Sequence, residues 1–255
     1  MNSTVVLVHG AMHTPWIFDP LREKLSALGI TSQAMQLPSS NPDSAAAQGL
    51  TEDVAAVCAA VEAVDGPVVL AAHSYGGVPA TWAAAESDQV AELVHIAAFA
   101  LEAGTSMMEW MGGDFPPTWN HSPDGLAVKA GDAEKSVFSG VDPTLTAEAV
   151  KRLNWQGMRA FTEKLGATPT RVPLTYVVAT EDRALPPAVQ EQWAAHAAHS
   201  VRVPSGHSPH LSHADELADA LAKAVARASS VMTVRPGEHP TPAEGFEVRS
   251  RRTSR

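Results

Sequence analysis

Ser74 is the residue whose surroundings most clearly predict chemistry. It lies in VVLAAHSYGG, where an apolar run is followed by a serine between small residues and then by a segment with helical character. A strand, a sharp turn and a helix around such a serine favour a nucleophile, because the turn exposes the hydroxyl at the helix N-terminus. Ala72 stands where the G-x-S-x-G form of this turn has glycine, and Gly76 matches it. The alternative is that Ser74 only caps the helix.

A carboxylate for this chemistry is expected at Asp182. The run TYVVATEDRALPP has the pattern of a strand that ends in two acidic residues, and a nucleophilic serine needs a carboxylate that orients its base. An aspartate after a strand is common in loops, so the order serine, aspartate, histidine along the chain carries the argument. Glu181 is the neighbouring alternative, and Glu102 is a distant one.

The base is predicted to be His207, in VPSGHSPHLSHADELADAL. This histidine follows a short strand pattern and precedes the last helix, so it can reach back over the end of the sheet. His210 and His213 are alternatives. Three histidines at three-residue steps could also indicate a metal site, but the stretch has no cysteine or acidic ligand cluster to support one. We therefore expect no metal and no organic cofactor.

An anion that develops on a substrate attacked by Ser74 needs hydrogen-bond donors. The usual donors are the amide after the nucleophile and an amide in an early loop. In this chain they are Tyr75 and Ala11, the latter in VHGA directly after the first predicted strand. Gly10 allows that loop to come close. The same residues could simply end the strand.

Strand and helix patterns alternate along most of the chain, which predicts an α/β fold with a mostly parallel sheet flanked by helices. Helices are predicted at residues 16–29, 44–64, 77–86, 187–198 and 212–228. The predicted strands are 5–8, 30–37, 67–72, 90–100, 172–180 and 199–204.

Residues 101–168 interrupt this alternation and are predicted to form a cap or lid inserted into a core of residues 1–100 and 169–228. The segment concentrates Met and Trp, which is typical of adaptable apolar pockets, although ordinary surface helices would be an alternative. Within it, LTAEAVKRLNWQGMRAFTEKLG is predicted to be helical. Residues 229–255, rich in Ser, Pro, Thr, Gly and Arg, are expected to be disordered. The candidate substrate-binding residues are His13, Trp16, His73, Met107, Trp110 and Trp119.

The composition and charge of the chain argue against some classes of binding partner. The chain has 255 residues and a formal net charge of −10, without the basic face that nucleic-acid binding requires. Its one cysteine, Cys58, lies in an apolar helical stretch and is interpreted as a core residue. No segment is long and apolar enough to span a membrane, and the N-terminus lacks a signal-peptide pattern. We expect a cytosolic protein whose partner is a small molecule, and the sequence predicts no oligomeric state.

Taken together, VVLVHGAMHTPWIF, VVLAAHSYGG, YVVATEDRALPP and SGHSPHLSHADELA resemble the α/β-hydrolase superfamily. The resemblance is strongest to its small esterase and hydroxynitrile-lyase group, which includes plant methylesterases. It covers residues 4 to 228. It implies an α/β-hydrolase fold with a cap after the predicted strand 90–100, a triad of Ser74, Asp182 and His207, and an oxyanion hole formed by Ala11 and Tyr75.

Two departures from that group favour its esterase branch. Its lyases carry a threonine at the position of Gly10 and a lysine at the position of Ser208, and the resemblance implies that these side chains handle the cyanohydrin hydroxyl and the departing cyanide. The expected activity is therefore hydrolysis of a small or medium apolar carboxylic ester through an acyl-enzyme. A non-hydrolytic lyase or tailoring enzyme with the same triad, and a ligand-binding receptor on this fold, are the alternatives. The sequence does not identify the ester.

Overall fold

A computed structural model describes residues 3–41 and 47–232. Within these ranges the helices α1 to α9 are Asp19–Ala27, Leu50–Glu62, Gly77–Glu86, Met107–Trp110, Pro143–Lys151, Arg159–Thr162, Pro187–Ala194, Pro209–Ser212 and Ala214–Met232. The strands β1 to β9 are Thr4–Val8, Ser32–Met35, Val68–His73, Val90–Ile96, Trp119–His121, Ala127–Ala130, Gln156–Gly157, Leu174–Ala179 and His199–Val203.

Six of these strands form one parallel sheet in the order β2-β1-β3-β4-β8-β9. Its central strands are continuous apolar runs because helices cover both faces of the sheet. Every residue of Val68–His73 is buried, and four of the five residues of Thr4–Val8 are buried. The predicted α/β-hydrolase fold is confirmed. Since all six strands run in the same direction, their carboxyl ends meet at one edge, where a site can be assembled.

The segment between β4 and β8 contributes no strand to this sheet within the described chain. It contains a separate antiparallel sheet in the order β5-β6-β7, together with the short helices α4, α5 and α6. The predicted helical stretch from Leu145 is wrong in part, because the helix ends at Lys151. Gln156 and Gly157 pair with Val128 and Ala127 instead, and α6 follows. Strand pairing has overridden the local helical pattern here.

The carboxyl-terminal boundary also differs from the prediction. Helix α9 continues to Met232, so residues 229–232 are helical rather than part of a disordered tail. The remainder of that predicted tail, residues 233–255, lies outside the described residues, as do residues 44–46 of the predicted helix 44–64. Residues 47–49 are described and precede α2, which begins at Leu50. Among the helices that the structure describes, none is long and apolar enough to cross a membrane.

Candidate active site

Ser74 follows β3 directly and has a backbone φ of 52°, in the left-handed region that non-glycine residues rarely adopt. The chain turns sharply there into a 3₁₀ turn, Ser74–Gly76, and then into α3. A Cβ at Gly76 would lie 2.5 Å from the backbone oxygen of His9, so only glycine fits. The turn therefore requires both a strained serine and a close approach to the loop after β1.

Asp182 and His207 complete a continuous hydrogen-bonded chain with Ser74. The Oγ atom of Ser74 lies 2.9 Å from Nε2 of His207, and Nδ1 of His207 lies 2.6 Å from Oδ2 of Asp182. All three side chains are buried. In this arrangement the carboxylate accepts from Nδ1, so Nε2 is free to accept the serine proton.

The carboxylate of Asp182 is itself held by further donors. Its Oδ1 accepts from the amides of Ala184 and Leu185 at 2.7 and 2.9 Å, and its Oδ2 accepts from Nε2 of Gln190 at 2.7 Å. Gln190 lies in α7, is fully buried, and also accepts from the amide of Ala179 at 2.9 Å. Sequence reasoning did not find Gln190, because nothing in its local pattern distinguishes it from another helix residue.

The alternative acids and bases lie elsewhere. Glu181 and Glu102 are exposed. His210 is fully buried, with its ring 4.5 Å from that of His73 and 5.2 Å from that of Phe18. Nδ1 of His213 lies 2.9 Å from Oγ of Ser212. Within the part of the chain that the structure describes, no group of three or more His, Cys, Asp or Glu residues is placed to hold a metal.

The loop after β1 lies close to Ser74. A Cβ at Gly10 would lie 3.0 Å from Cβ of Ser74 and 2.9 Å from Nδ1 of His73. The carbonyl of Ala11 is 2.7 Å from Nδ1 of His13, and Met12 has a φ of 68°. The backbone of Ala11 is therefore held close to Ser74, on the wall of the same cavity.

A cavity of about 590 Å³ opens above Ser74 and His207. Four of the candidate substrate-binding residues, His13, Met107, Trp110 and Trp119, line it. The other lining residues are mostly apolar and are Ala11, Met12, Phe99, Met111, Asp114, Phe115, Pro116, Pro117, Ala130, Val137, Ala184, Leu185 and Pro186.

Trp16 and His73 do not line this cavity, contrary to the prediction. The ring of Trp16 lies 4.6 Å from the guanidinium of Arg152. His73 is fully buried behind the site, where its Nε2 donates to the backbone carbonyl of His207 at 2.8 Å. His73 thus contacts the backbone of the loop that carries His207 and does not line the cavity above Ser74.

The buried histidines around the site are held neutral. Burial is the main cause, and it lowers the pKa of His9 to about 4 and that of His95 to about 4. Burial and then repulsion from His9 and His207 lower the pKa of His13 to about 3. Burial, with repulsion from neighbouring histidines, lowers the pKa of His73 well below its ordinary value. Burial, followed by repulsion from His13 and His207, does the same for His210.

These lowered pKa values predict that the protein loses stability in mild acid. Unfolded histidines take up protons below pH 6.5, whereas these buried ones stay neutral to a lower pH, so stability is lost as the pH falls below 6.5. The five groups are His9, His13, His73, His95 and His210. We expect the free energy of unfolding to fall between pH 7.5 and 5.5 by about 1.4 kcal/mol for each histidine that stays neutral in the folded protein, since its unfolded form binds about one more proton per pH unit below pH 6.5.

Denaturant titrations at pH 7.5, 6.5 and 5.5 measure how steeply the free energy of unfolding changes with pH. Burial raises the pKa of Asp53 to about 6, and its contribution to stability is lost as the pH rises from 4 to 6, so it opposes the histidines only at the acid end of this range and by less than one proton. His95→Asn removes one titrating group that contacts Thr81 and does not line the cavity above Ser74. This variant should therefore show a weaker dependence of the free energy of unfolding on pH, by the equivalent of about one proton fewer taken up on unfolding. A free energy of unfolding that is the same at pH 7.5 and 5.5 would contradict the prediction.

The sequence and structure are similar to those of known hydrolases. The chain is 25% identical over 234 residues to "Alpha/beta hydrolase nvfD" of Aspergillus novofumigatus, covering 84% of this chain and 93% of that protein. Its fold is similar to that of a pyrethroid hydrolase from Sphingobium faniae, at 22% identity and a TM-score of 0.75, covering 88% of this chain and 97% of the other. It is also similar to the methylesterase MES16 from Arabidopsis, at 21% identity and a TM-score of 0.76, covering 88% and 99%.

The family assignment does not depend on these individual relatives. A model of the Alpha/beta hydrolase family matches residues 5–220, a range that begins in β1 and reaches into α9. The match therefore includes the whole parallel sheet, the inserted segment, and the residues around Ser74, Asp182 and His207. The resemblance drawn from the sequence motifs is confirmed, and the chain belongs to the Alpha/beta hydrolase family.

Proposed function

We propose that this protein is a serine hydrolase that cleaves a small or medium apolar carboxylic ester through an acyl-enzyme. The observation that carries the proposal is the hydrogen-bonded chain from Ser74 through His207 to Asp182, with distances of 2.9 and 2.6 Å, beneath an apolar cavity. A serine hydroxyl is a weak nucleophile alone, and an adjacent base with an oriented partner activates it.

The reaction has two steps. His207 takes the proton of Ser74 as Oγ attacks the ester carbonyl, and it then gives that proton to the departing alkoxide, which leaves an acyl group on Ser74. Water, activated by the same histidine, releases the acid in the second step. Asp182 holds the imidazole and stabilises its cation. The amides of Ala11 and Tyr75 donate to the oxyanion of each tetrahedral intermediate.

The inserted segment supplies much of the cavity wall, so we assign substrate selection to it. Trp110, Phe115, Trp119 and Met107 present aromatic and thioether surface opposite the serine. Asp114 is the one acidic side chain on the described wall, and it is exposed. This lining favours apolar acyl or alcohol groups over charged ones.

Two details of the site disfavour cyanohydrin cleavage. A side chain at Gly10 would meet His73 and Ser74 at 2.9 and 3.0 Å, so the loop leaves no room for the threonine of the lyases. Ser208 is fully buried, and its hydroxyl donates to the carbonyl of Val137 at 2.9 Å instead of pointing to substrate. Neither position can assist a departing cyanide.

Reaction with a fluorophosphonate, followed by mass mapping and a panel of p-nitrophenyl esters, tests the proposal. We expect one adduct, on Ser74, and turnover of esters with apolar acyl groups. Mandelonitrile provides the comparison with lyase activity, and it should release no cyanide above background. Cyanide release at a rate comparable to ester hydrolysis would instead support the lyase alternative.

A further inference from the structure

Asp53 is a fully buried carboxylate that the proposed mechanism does not use. It lies in α2, and among the described residues no lysine or arginine forms an ion pair with it. A buried charge without a cationic partner is costly, and apolar replacement of such groups is often neutral or stabilising. Its burial raises its pKa to about 6, which reflects that cost. Its hydrogen bonds lead in two directions, both toward the loops around Ser74.

The first direction leads to Tyr75. The phenol of Tyr75 donates to Oδ2 of Asp53 at 2.6 Å, and its ring lies 5.6 Å from that of Phe161. Tyr75 is fully buried and directly follows Ser74 in the 3₁₀ turn. Its side chain therefore fixes the residue whose amide is the first proposed oxyanion donor.

The second direction leads to the loop after β1. Ser39 donates to Asp53 twice, from its amide to Oδ1 at 2.9 Å and from its hydroxyl to Oδ2. Nε2 of Gln156 donates to that hydroxyl at 2.5 Å, and Oε1 of Gln156 accepts from the amide of Met12 at 2.9 Å. Met12 is the residue with a φ of 68°, directly after Ala11, the second proposed donor.

We propose that Asp53, Ser39 and Gln156 form a positioning network that holds the amides of Tyr75 and Ala11 in one geometry for the oxyanion. The inference rests on the proposed function and deepens it. Donors that are fixed before the reaction stabilise developing charge without reorganisation, so small displacements of them reduce the rate.

The network also gives the inserted segment a part in positioning the site. Gln156 belongs to β7 of the small antiparallel sheet, whereas Ser39 and Asp53 belong to the region before β3. The side chains of Asp53, Ser39 and Gln156, and that of Tyr75, which Asp53 holds, have no measurable exposure. Because water does not compete for these hydrogen bonds, removing one member leaves its partners unsatisfied.

Tyr75→Phe and Gln156→Leu test this role, since each removes hydrogen bonds and keeps most of the packing volume. We expect kcat for a p-nitrophenyl ester to fall about 10- to 100-fold, less than the loss of a whole oxyanion donor, while KM changes less than about threefold. A trifluoromethyl ketone, which forms a tetrahedral adduct on serine, should bind more weakly by the same factor as the loss in kcat/KM. Combining the two variants should give less than the product of their separate losses.

Thr175→Val is the matched control. It removes a buried hydroxyl that donates to Glu92 at 2.6 Å, at the opposite end of β8 from Asp182. It should lower the melting temperature without weakening the binding of the trifluoromethyl ketone. Asp53→Asn gives a second test, because an amide can still accept from Tyr75 and should lose less activity than Asp53→Leu.

Folded Tyr75→Phe and Gln156→Leu proteins that keep the parent kcat and ketone affinity would overturn the network. A wild-type protein that neither turns over esters nor labels at Ser74 would instead overturn the proposed function. The two failures are therefore distinguishable.

Discussion

Replacing Ser74 with alanine should reduce ester turnover by about 10⁶-fold without unfolding the protein, as the loss of a triad serine does in other triads. Oγ of Ser74 lies 2.9 Å from Nε2 of His207. Alanine lacks this hydroxyl, so the substitution removes the proposed nucleophile and leaves the other side chains of the site in place. The backbone at position 74 has a φ of 52°, and alanine can adopt it at a similar cost to serine. The measurements are kcat/KM on p-nitrophenyl esters and the melting temperature.

Ser205→Ala is the matched control for this prediction. Ser205 is also buried near the end of the sheet, but its hydroxyl has no hydrogen-bond partner within the described residues. Removing that hydroxyl should leave activity within about threefold of the parent, because no hydrogen bond is lost. A folded Ser74→Ala protein with near-parental activity would show that another group attacks the substrate.

The central sheet could be predicted from the sequence because its strands are buried on both faces. Val5 to Val8 and Val68 to Ala72 are short apolar runs that contain several valines, and their length and β-branched residues favour a buried parallel strand over a helix. Because the first run is followed by the loop at Gly10 and the second by Ser74, the sequence also predicted which edge of the sheet carries the site. Local pattern and tertiary structure agree in this part of the chain.

The inserted segment could not be predicted in the same way. Its three strands have only two to four residues each, too short for an alternating pattern. Gln156 and Gly157 sit within a run of helical spacing, and they become a strand because they pair with Ala127 and Val128. Pairing between residues about 30 positions apart leaves no signal in a local window.

Sequence order grouped Ser74, Asp182 and His207, which the structure places in hydrogen-bonding contact, but it did not find the residues that hold them. Gln190, in α7, donates to Asp182, and His73, the last residue of β3, donates to the backbone carbonyl of His207. Trp16 was misplaced because the sequence of the short 3₁₀ helix Pro15–Phe18 carries no signal for the direction of this side chain. These roles depend on three-dimensional proximity alone.

His207→Ala should nearly abolish hydrolysis, whereas His210→Ala should keep most of it. Nε2 of His207 is 2.9 Å from Oγ of Ser74, and Nδ1 is 2.6 Å from Asp182, so its loss removes both proton transfer and the oriented cation. A loss of about 10⁶-fold, comparable to that of the nucleophile, is expected because triad members act as a unit. kcat/KM measured for both variants at the same pH is the direct comparison.

His210 has a different role, and its variant should show a different defect. Both of its ring nitrogens lack hydrogen-bond partners within the described residues, and its ring packs against Phe18 and His73. Removing the ring leaves a cavity, so His210→Ala should lower the melting temperature, while His210→Phe should recover part of it by filling that space. If His210→Ala is folded and inactive while His207→Ala retains activity, then the base is His210, and the geometry around Ser74 must change during the reaction.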